Sequence, residues 1–292
     1  MKCGIIGCGR LGRALAVALT NSGIDLVLLV DNNRKLLFTM QRMFPKVKLT
    51  WQLSDWPAMD ILFITVNDDE INPVAKEIFG SAIDLSGVIA VHTSGALSST
   101  ELSPLKEKGA LLASMHPVQT FSGTSKDAMS IRKCYFALEG ETKALPVMKT
   151  LIEKMGANWF ELKPEHKSNH HLACILASNY VIALMKMATD LLEPIGLPRS
   201  EAKKILLPLM SSAVENISNQ SLAMALTGPV ARGDAKTVLH HINLLKKQHP
   251  GLIELYTSLA RTALELAKEL PDAKLPDLEK IEGLLEKAGK PK

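Results

Sequence analysis

The 292-residue sequence predicts an α/β fold, with a doubly wound parallel sheet in the N-terminal half followed by an all-α C-terminal domain. Three observations carry this reading. Short, nearly continuous apolar runs alternate with amphipathic segments as far as Leu162. A glycine triplet stands between the first apolar run and the first amphipathic segment. Beyond Leu162 no convincing strand pattern recurs up to Leu270.

The elements follow in order. Cys3–Gly7 is an apolar strand that ends in glycine. Arg10–Ser22 is a helix with Leu11, Leu15, Ala18 and Leu19 on one side, stopped by Gly23. Asp25–Asp31 (DLVLLVD), Asp60–Val66 (DILFITV) and Gly87–Val91 (GVIAV) have the continuous apolarity of strands covered on both faces. Ala110–Met115, Cys134–Leu138 and Asn158–Leu162 are further strands, and helical segments separate most of them. The second half reads as helices over Ser168–Leu192, Ser200–Ile217, Ala235–Gln248, Leu252–Leu270 and Pro276–Lys287, punctuated by Pro194, Pro198, Pro250 and Gly251. The tail 289–292 is expected to fray. The domain boundary falls near Pro164, giving domains 1–163 and 164–292, with a cleft between them as the expected ligand site.

Composition narrows the function classes. The chain is 47% hydrophobic and 22% charged, which excludes wholesale disorder. Thirty-four Lys and Arg against 30 Asp and Glu leave a net charge of +4, too small and scattered for a nucleic-acid partner. Cys3, Cys8, Cys134 and Cys174 form no CxxC pair, and their scatter suits a reducing cytoplasm. Arg10, Arg13 and three glycines break the apolar N-terminus, so it reads as a strand rather than a signal peptide. The longest apolar stretch, Leu172–Ala188, carries Ser178, Asn179 and Lys186 and reads as too short and polar for a bilayer, so no membrane association is expected.

Gly7-Cys8-Gly9-Arg10-Leu11-Gly12 is a GxGxxG between a predicted strand and a predicted helix, the context that gives the motif meaning. Gly7 permits the tight turn, Gly9 lets backbone approach a pyrophosphate, and Gly12 lets helix and strand pack closely. The helix N-terminus then offers unpaired N–H groups to the anion. This is the fingerprint of a Rossmann-like dinucleotide-binding domain. Asp31, 19 residues after Gly12, can accept hydrogen bonds from the adenosine ribose, which favours NAD. Asn32 follows, and Arg34 can meet the 2′-phosphate of NADP. The balance leans slightly to NAD. Val66 and Asn67, at the end of the Asp60 strand, are further cofactor candidates. Asp68 and Asp69 read as caps of the next helix.

His92, Thr93 and Ser94 end the fifth strand, and His116 to Phe121 follows the sixth. Both segments are expected to open on the same edge as the glycine loop, where they can meet the nicotinamide and the substrate. Hydride transfer from an alcohol carbon needs a proton acceptor. His116 can serve, with Ser94 holding the oxygen and Gln119 beside the substrate. His92 alternatively reads as a neutral histidine bonded to backbone. In the helical half, Ser178 and Asn179 interrupt an apolar helix and face either a neighbouring helix or the substrate. His170, Cys174 and Ser178 share one helical face. His166 and His170 are spaced for a metal, but no third ligand is evident and no metal is expected. The methionines at 185, 187, 210 and 224 read as core. The segment 227–234 is a loop in which Asp234 caps the helix starting at Ala235, while Thr227 and Arg232 are candidates to bind a substrate carboxylate or phosphate.

With the glycine loop, HTSGALSS (92–99), SMHPVQTF (114–121), LASNYVIAL (176–184), LTGPVARGD (226–234) and the His240-His241 pair, the chain resembles a family of NAD(P)-dependent oxidoreductases. These join a Rossmann-like domain to a helical C-terminal domain of unknown function. The resemblance implies a 6-phosphogluconate-dehydrogenase-like helical domain that serves as a homodimer contact, and it implies no particular substrate. More distantly, Ser94, His116-Pro117 and Pro164-Glu165-His166 are similar in order to prephenate and arogenate dehydrogenases. That similarity implies His116 as proton acceptor and Ser94 as its partner. Gln119-Thr120-Phe121 departs from the glycine expected after His-Pro. The catalytic lysine of the β-hydroxyacid dehydrogenases, expected shortly before Asn179, finds only Cys174, Ile175 and Leu176. The sequence thus points to an NAD(P)-dependent oxidoreductase acting on a small, anionic metabolite. The alternatives are a non-catalytic NAD(P)-sensing dimer and a prephenate-type dehydrogenase.

Overall fold

The computed structural model describes residues 1–124 and 126–288; the expected frayed tail at 289–292 lies outside them. Eight strands form one sheet: β1 (Lys2–Ile6), β2 (Asp25–Val30), β3 (Lys48–Thr50), β4 (Ile61–Ile64), β5 (Ile89–His92), β6 (Leu111–Pro117), β7 (Tyr135–Gly140) and β8 (Asn158–Glu161). Between and after them run α1 (Arg10–Asn21), α2 (Arg34–Met43), α3 (Asp68–Gly80), α4 (Ser103–Lys106), α5 (Asp127–Ile131), α6 (Leu145–Lys154), α7 (Lys167–Ala177), α8 (Asn179–Asp190), α9 (Arg199–Asn219), α10 (Leu222–Ala225), α11 (Ala235–Gln248), α12 (Ile253–Lys268) and α13 (Leu275–Ala288). The chain divides into two compact units, Met1–Ala183 and Leu184–Lys292.

In the first unit the sheet order is β3-β2-β1-β4-β5-β6-β7-β8. The order reverses at β1/β4, and in such a sheet ligands bind at the carboxyl ends of the strands beside the reversal. Successive strand residues serve opposite faces. Ile5, Phe63 and Val91 join a core with Leu15 and Leu19 of α1 and Met148 and Leu151 of α6. Ile6, Ile64 and Ala90 join another with Ile71, Ala75 and Ile78 of α3. This two-sided burial is why these strands read as continuous apolar runs.

The structure corrects several expectations. The sheet is not wholly parallel: β7 runs antiparallel to β6, and β8 follows β7 in parallel. The edge strand β3 is only three residues, KLT, and carries no apolar run to announce it. His116 lies inside β6 rather than after it. The expected helix Ser168–Leu192 is two helices, α7 and α8, parted at Ser178, whose φ of −128° is not helical.

In the second unit, Val238 and Ile242 of α11, Ala260 and Leu264 of α12, and Leu278, Ile281 and Leu285 of α13 form one core. Asp234 caps α11, accepting from the Thr237 amide at 3.1 Å and the Thr237 hydroxyl at 2.7 Å. The long α9 buries only Ala202. The four methionines are not core: Met185, Met187 and Met210 are half-buried and Met224 is exposed. Helical periodicity identifies an apolar face but does not say what covers it. The stretch expected to be too short and polar for a bilayer is also corrected. Within the 32-residue helical run Pro164–Ile195, which bends at Ser178, an 18-residue window has a mean hydropathy of 1.5, long and apolar enough to cross one by length and composition alone.

Gly140 marks the tightest passage of the sheet. Its φ is +153°, and a Cβ there would lie 2.6 Å from the Leu112 carbonyl oxygen and 2.7 Å from Ala113 Cα. Both neighbours are backbone and cannot swing aside. Gly140→Ala is expected to destabilise the protein by about 2–4 kcal/mol in denaturant unfolding; wild-type stability would mean that β6 and β7 separate freely at this point.

Candidate functional site

The site begins at the turn from β1 into α1. Gly7 adopts φ +91° and donates its amide to the Val30 carbonyl at 2.8 Å, fixing the turn against β2. A Cβ on Gly12 would sit 1.9 Å from the Gly7 carbonyl oxygen, so the helix can follow the strand this closely only with glycine there. A Cβ on Gly9 would meet nothing within 4 Å. Gly9 is the N-cap of α1 and offers no side chain, and the first turn of the helix holds no acid. The opening amides of α1 therefore lack an anionic partner of their own, which fits a phosphate group.

The ends of β2 and β4 complete this region. Asp31 accepts from the Cys8 amide at 2.6 Å and from the Asn33 amide at 2.7 Å. Its carboxylate thus braces the glycine loop and the turn into α2, which Asn33 caps. The Arg34 guanidinium lies over the Trp51 ring, 4.2 Å from its centre. Gly7, Gly9, Asp31, Asn32, Val66 and Asn67 line one cavity of about 490 Å³, which Trp51 and Leu53 also line. Six of the expected cofactor residues are therefore brought together. Arg10 and Leu11 open α1 beside it. Cys8 takes part through its amide; its thiol is buried, and burial pushes its pKa up to about 12.

A second polar group lies at the ends of β5 and β6. His92 is fully buried. Its Nδ1 accepts from the Ser94 amide at 3.2 Å, so Nε2 carries the proton and donates to the Ser98 carbonyl at 2.9 Å. Burial pushes its pKa down to about 4, which keeps the ring neutral. The Ser94 hydroxyl donates to Asp68 Oδ2 at 2.8 Å and accepts from the Ala96 and Leu97 amides. Both side chains, together with buried Thr93, shape the loop after β5.

His116 meets α7. Its Nδ1 lies 3.0 Å from His170 Nε2, and its ring stands edge-on to those of His170 and His171. Gly95 makes room: a Cβ there would lie 2.6 Å from His171 Nδ1 and 2.8 Å from His116 Nε2. Burial, then the neighbouring His170, Lys167 and His171, push the His116 pKa down to about 3. Cys174 Sγ lies 3.8 Å from the same His170 Nε2. The sequence puts His170 and Cys174 on one face, and its metal pair, His166 with His170, has no third ligand. The fold assembles a different set without His166: ligand atoms of His116, His170 and Cys174 all lie within 4.8 Å of one another.

Sequence reasoning missed Lys167. The first residue of α7, it is 1% exposed and donates to the Ser94 carbonyl at 3.0 Å and the Ser114 hydroxyl at 2.6 Å. Burial lowers its pKa to about 8, although Glu139 and Asp68 raise it. A lysine before an apolar helix ordinarily reads as a solvated end, and only contacts spanning 53 and 73 residues bury this one. The other candidates lie elsewhere. Gln119 lines a different cavity with Arg132 and Tyr135. Ser178 donates to the Cys174 carbonyl and to Asn179 Oδ1 at the break between α7 and α8. Thr227 and Arg232 share a cavity with Lys274 in the second unit.

Residues 1–117 match the model of a Rossmann-like domain, and residues 134–263 match that of a domain of unknown function, DUF2520. Among solved structures, protein TM1727 from Thermotoga maritima is 25% identical, with a TM-score of 0.74, covering 91% of this chain and 98% of its own. A candidate NADP oxidoreductase, BF3122 from Bacteroides fragilis, is 20% identical (TM-score 0.71, covering 90% and 97%). An imine reductase from Myxococcus stipitatus in complex with NADP+ is 17% identical (TM-score 0.61, covering 91% and 94%). The last two likenesses are of fold. No curated protein matches the chain.

The folded state holds the Lys167 proton less firmly, at a pKa of about 8, than the usual 10.5 of an exposed lysine. It therefore binds fewer protons than the unfolded chain between those values. The cost of burying the ammonium is fully present below pH 8 and is relieved as pH rises toward 10.5. Relative to Lys167→Met, wild-type unfolding free energy is expected to rise by about 2–3 kcal/mol between about pH 7.5 and about pH 10. A constant difference would mean that the buried amine holds its proton as tightly as an exposed one.

Proposed function

We propose that this chain, a Rossmann-like domain followed by a DUF2520 domain, is an NADP(H)-dependent oxidoreductase acting on a small, anionic carbonyl or imine compound. The observation that carries the reading is the uncapped N-terminus of α1, facing a cavity lined by Gly7, Gly9, Asp31, Val66 and Asn67. In this reading the cofactor, when bound, supplies or takes the hydride, and domain 1–163 holds it. The amides after Gly9 bind the pyrophosphate, and Asn67, whose side chain makes no capping bond at α3, meets the ribose or nicotinamide.

The choice of NADP(H) departs from the lean to NAD that Asp31 suggested. Both carboxylate oxygens of Asp31 already accept backbone amides, so the residue serves the loop first. Arg34, stacked on Trp51 beside the cavity, is the cation placed for a 2′-phosphate. Two of the solved neighbours are described with NADP, which supports the same choice.

Reduction of a carbonyl or imine takes one hydride at carbon and one proton at oxygen or nitrogen. Lys167, with a pKa of about 8, is protonated at neutral pH and close enough to it to give the proton up. His116 is neutral and only half-buried, and it is assigned to hold the substrate's polar atom. The role first read for Ser94, holding the substrate oxygen, passes to His116, because the Ser94 hydroxyl is committed to Asp68 and two amides. Within the helical domain by itself, Arg232 with Thr227 and Lys274, beside Asp272, is assigned to an anionic group. The homodimer contact is placed on this domain, where Ile182 of α8 and Leu209 of α9 stand 72% and 70% exposed, a cost in water that a second copy removes. Four free cysteines fit a reducing cytoplasm.

The test is steady-state absorbance with NADPH or NADH against a panel of keto acids and cyclic imines. Steady oxidation of NADPH is expected with at least one compound, with a lower KM for NADPH than for NADH. Arg34→Ala is expected to raise the NADPH KM by about tenfold or more, the loss of one charge-assisted phosphate contact, and to leave that for NADH within about twofold. Equal loss for both cofactors would remove Arg34 from phosphate recognition, and no oxidation with any compound would reject the enzyme reading.

A further inference from the structure

The meeting of β6 with α7 holds a group of side chains that hydride transfer alone does not require. His170 and Cys174 are one turn apart on α7 and project from one face. His116 reaches them from β6. His170 Nε2 has His116 Nδ1 at 3.0 Å and Cys174 Sγ at 3.8 Å. A ring nitrogen carries either one hydrogen or one lone pair, so it serves one of these partners well and not both. Three heteroatoms converge where hydrogen bonding satisfies two.

We propose that His116, His170 and Cys174 form a binding site for a zinc-class divalent cation, with an open fourth position. The distances suit it. Bonds of about 2.0 Å to nitrogen and about 2.3 Å to sulfur in a tetrahedral site put neighbouring ligand atoms about 3.3–3.7 Å apart. The observed 3.0 and 3.8 Å to His170 need shifts of a few tenths of an ångström, and the third pair, His116 to Cys174, lies within 4.8 Å and closes by a side-chain rotation of about one ångström at most. Two imidazoles and one thiolate are a donor set that selects zinc over calcium or magnesium. A neutral imidazole presents a lone pair to a metal, and the edge-on approach of the His116 and His170 rings turns a nitrogen of each toward the other. The nearby ammonium of Lys167 opposes a cation, and the Cys174 thiolate formed on binding offsets it. The two elements are also rigid supports, a buried sheet strand and an 11-residue helix.

Three protein ligands with one position open is the arrangement of catalytic rather than structural zinc. The open position is free to take the oxygen of a carbonyl or hydroxyl substrate. This use of the metal rests on the oxidoreductase reading, whereas the binding of metal does not. His171 Nδ1, buried and without a partner against Gly95, stands on another side of the His116 ring.

The test uses tag-free, full-length protein stripped with a chelator and titrated with Co2+ and then Zn2+. One Co2+ is expected per chain at micromolar concentration, with the visible bands of a tetrahedral ion and a near-ultraviolet thiolate-to-cobalt band, both removed by Zn2+. Cys174→Ser is expected to lose the thiolate band, and His170→Gln to weaken Co2+ binding at least tenfold. Alkylation provides a check that needs no variant. Cys3, Cys8 and Cys134 are buried, so Cys174 is the most accessible thiol of the native protein, and Zn2+ is expected to slow its alkylation at least tenfold. Absence of Co2+ binding, a thiolate band that persists in Cys174→Ser, or alkylation indifferent to Zn2+ would overturn the site. NADPH binding, followed by fluorescence on the same metal-free samples, separates the two readings: nucleotide without metal refutes the site alone, and metal without nucleotide refutes the oxidoreductase alone.

Discussion

A helix that begins on a bare glycine leaves its first amides without partners, and the first unit is arranged around that fact. Gly9 caps α1 with no side chain, and Gly12 brings the helix so close to the preceding turn that any larger residue would strike the Gly7 carbonyl. The partial positive charge at this end of α1 calls for an anion. The glycine loop leaves it to be supplied from outside the chain, while Glu70 and Glu77 line the cavity further along α3. Asp31 turns its carboxylate to the Cys8 and Asn33 amides, and no acid stands in the first turn of α1.

The same sheet edge gathers a second set of groups for a different reason. Strands β5 and β6 end in polar residues that α7 then covers, and covering them takes Lys167 out of water. Desolvation dominates the proton affinities there: it lowers those of Lys167, His116 and His92 alike. A site of neutral imidazoles beside one weakly held ammonium is suited to giving up a proton near neutral pH and to offering nitrogen lone pairs. The proposed hydride chemistry uses the first property and the metal site the second.

What could be read from the sequence follows from how local each signal is. The strands buried on both faces, the glycine loop and the Asp234 cap depend on neighbours in the chain, and the structure has them where the pattern puts them. The break at Ser178 was marked by the polar pair Ser178-Asn179, although its consequence, two helices rather than one, was not. Strand β3 has three residues and no apolar run. The reversal of β7 turns on which way the chain re-enters the sheet, which apolarity does not encode. Lys167 and the pairing of His116 with His170 were illegible because their partners lie 53 to 73 residues away. The four methionines of the helical half misled because an amphipathic face looks the same whether its own fold or another molecule covers it.

The account stands on nucleotide phosphate bound at the start of α1, and Gly9 isolates that claim. A side chain there has open space within the protein, at an ordinary φ of −63°, so Gly9→Val takes the room for a ligand at the cost of a somewhat poorer N-cap. Calorimetric titration with NADPH is the direct measurement. One site per chain is expected in the wild type, and in Gly9→Val a folded protein of slightly lower melting temperature with affinity reduced at least a hundredfold. Undiminished NADPH binding by Gly9→Val would contradict it.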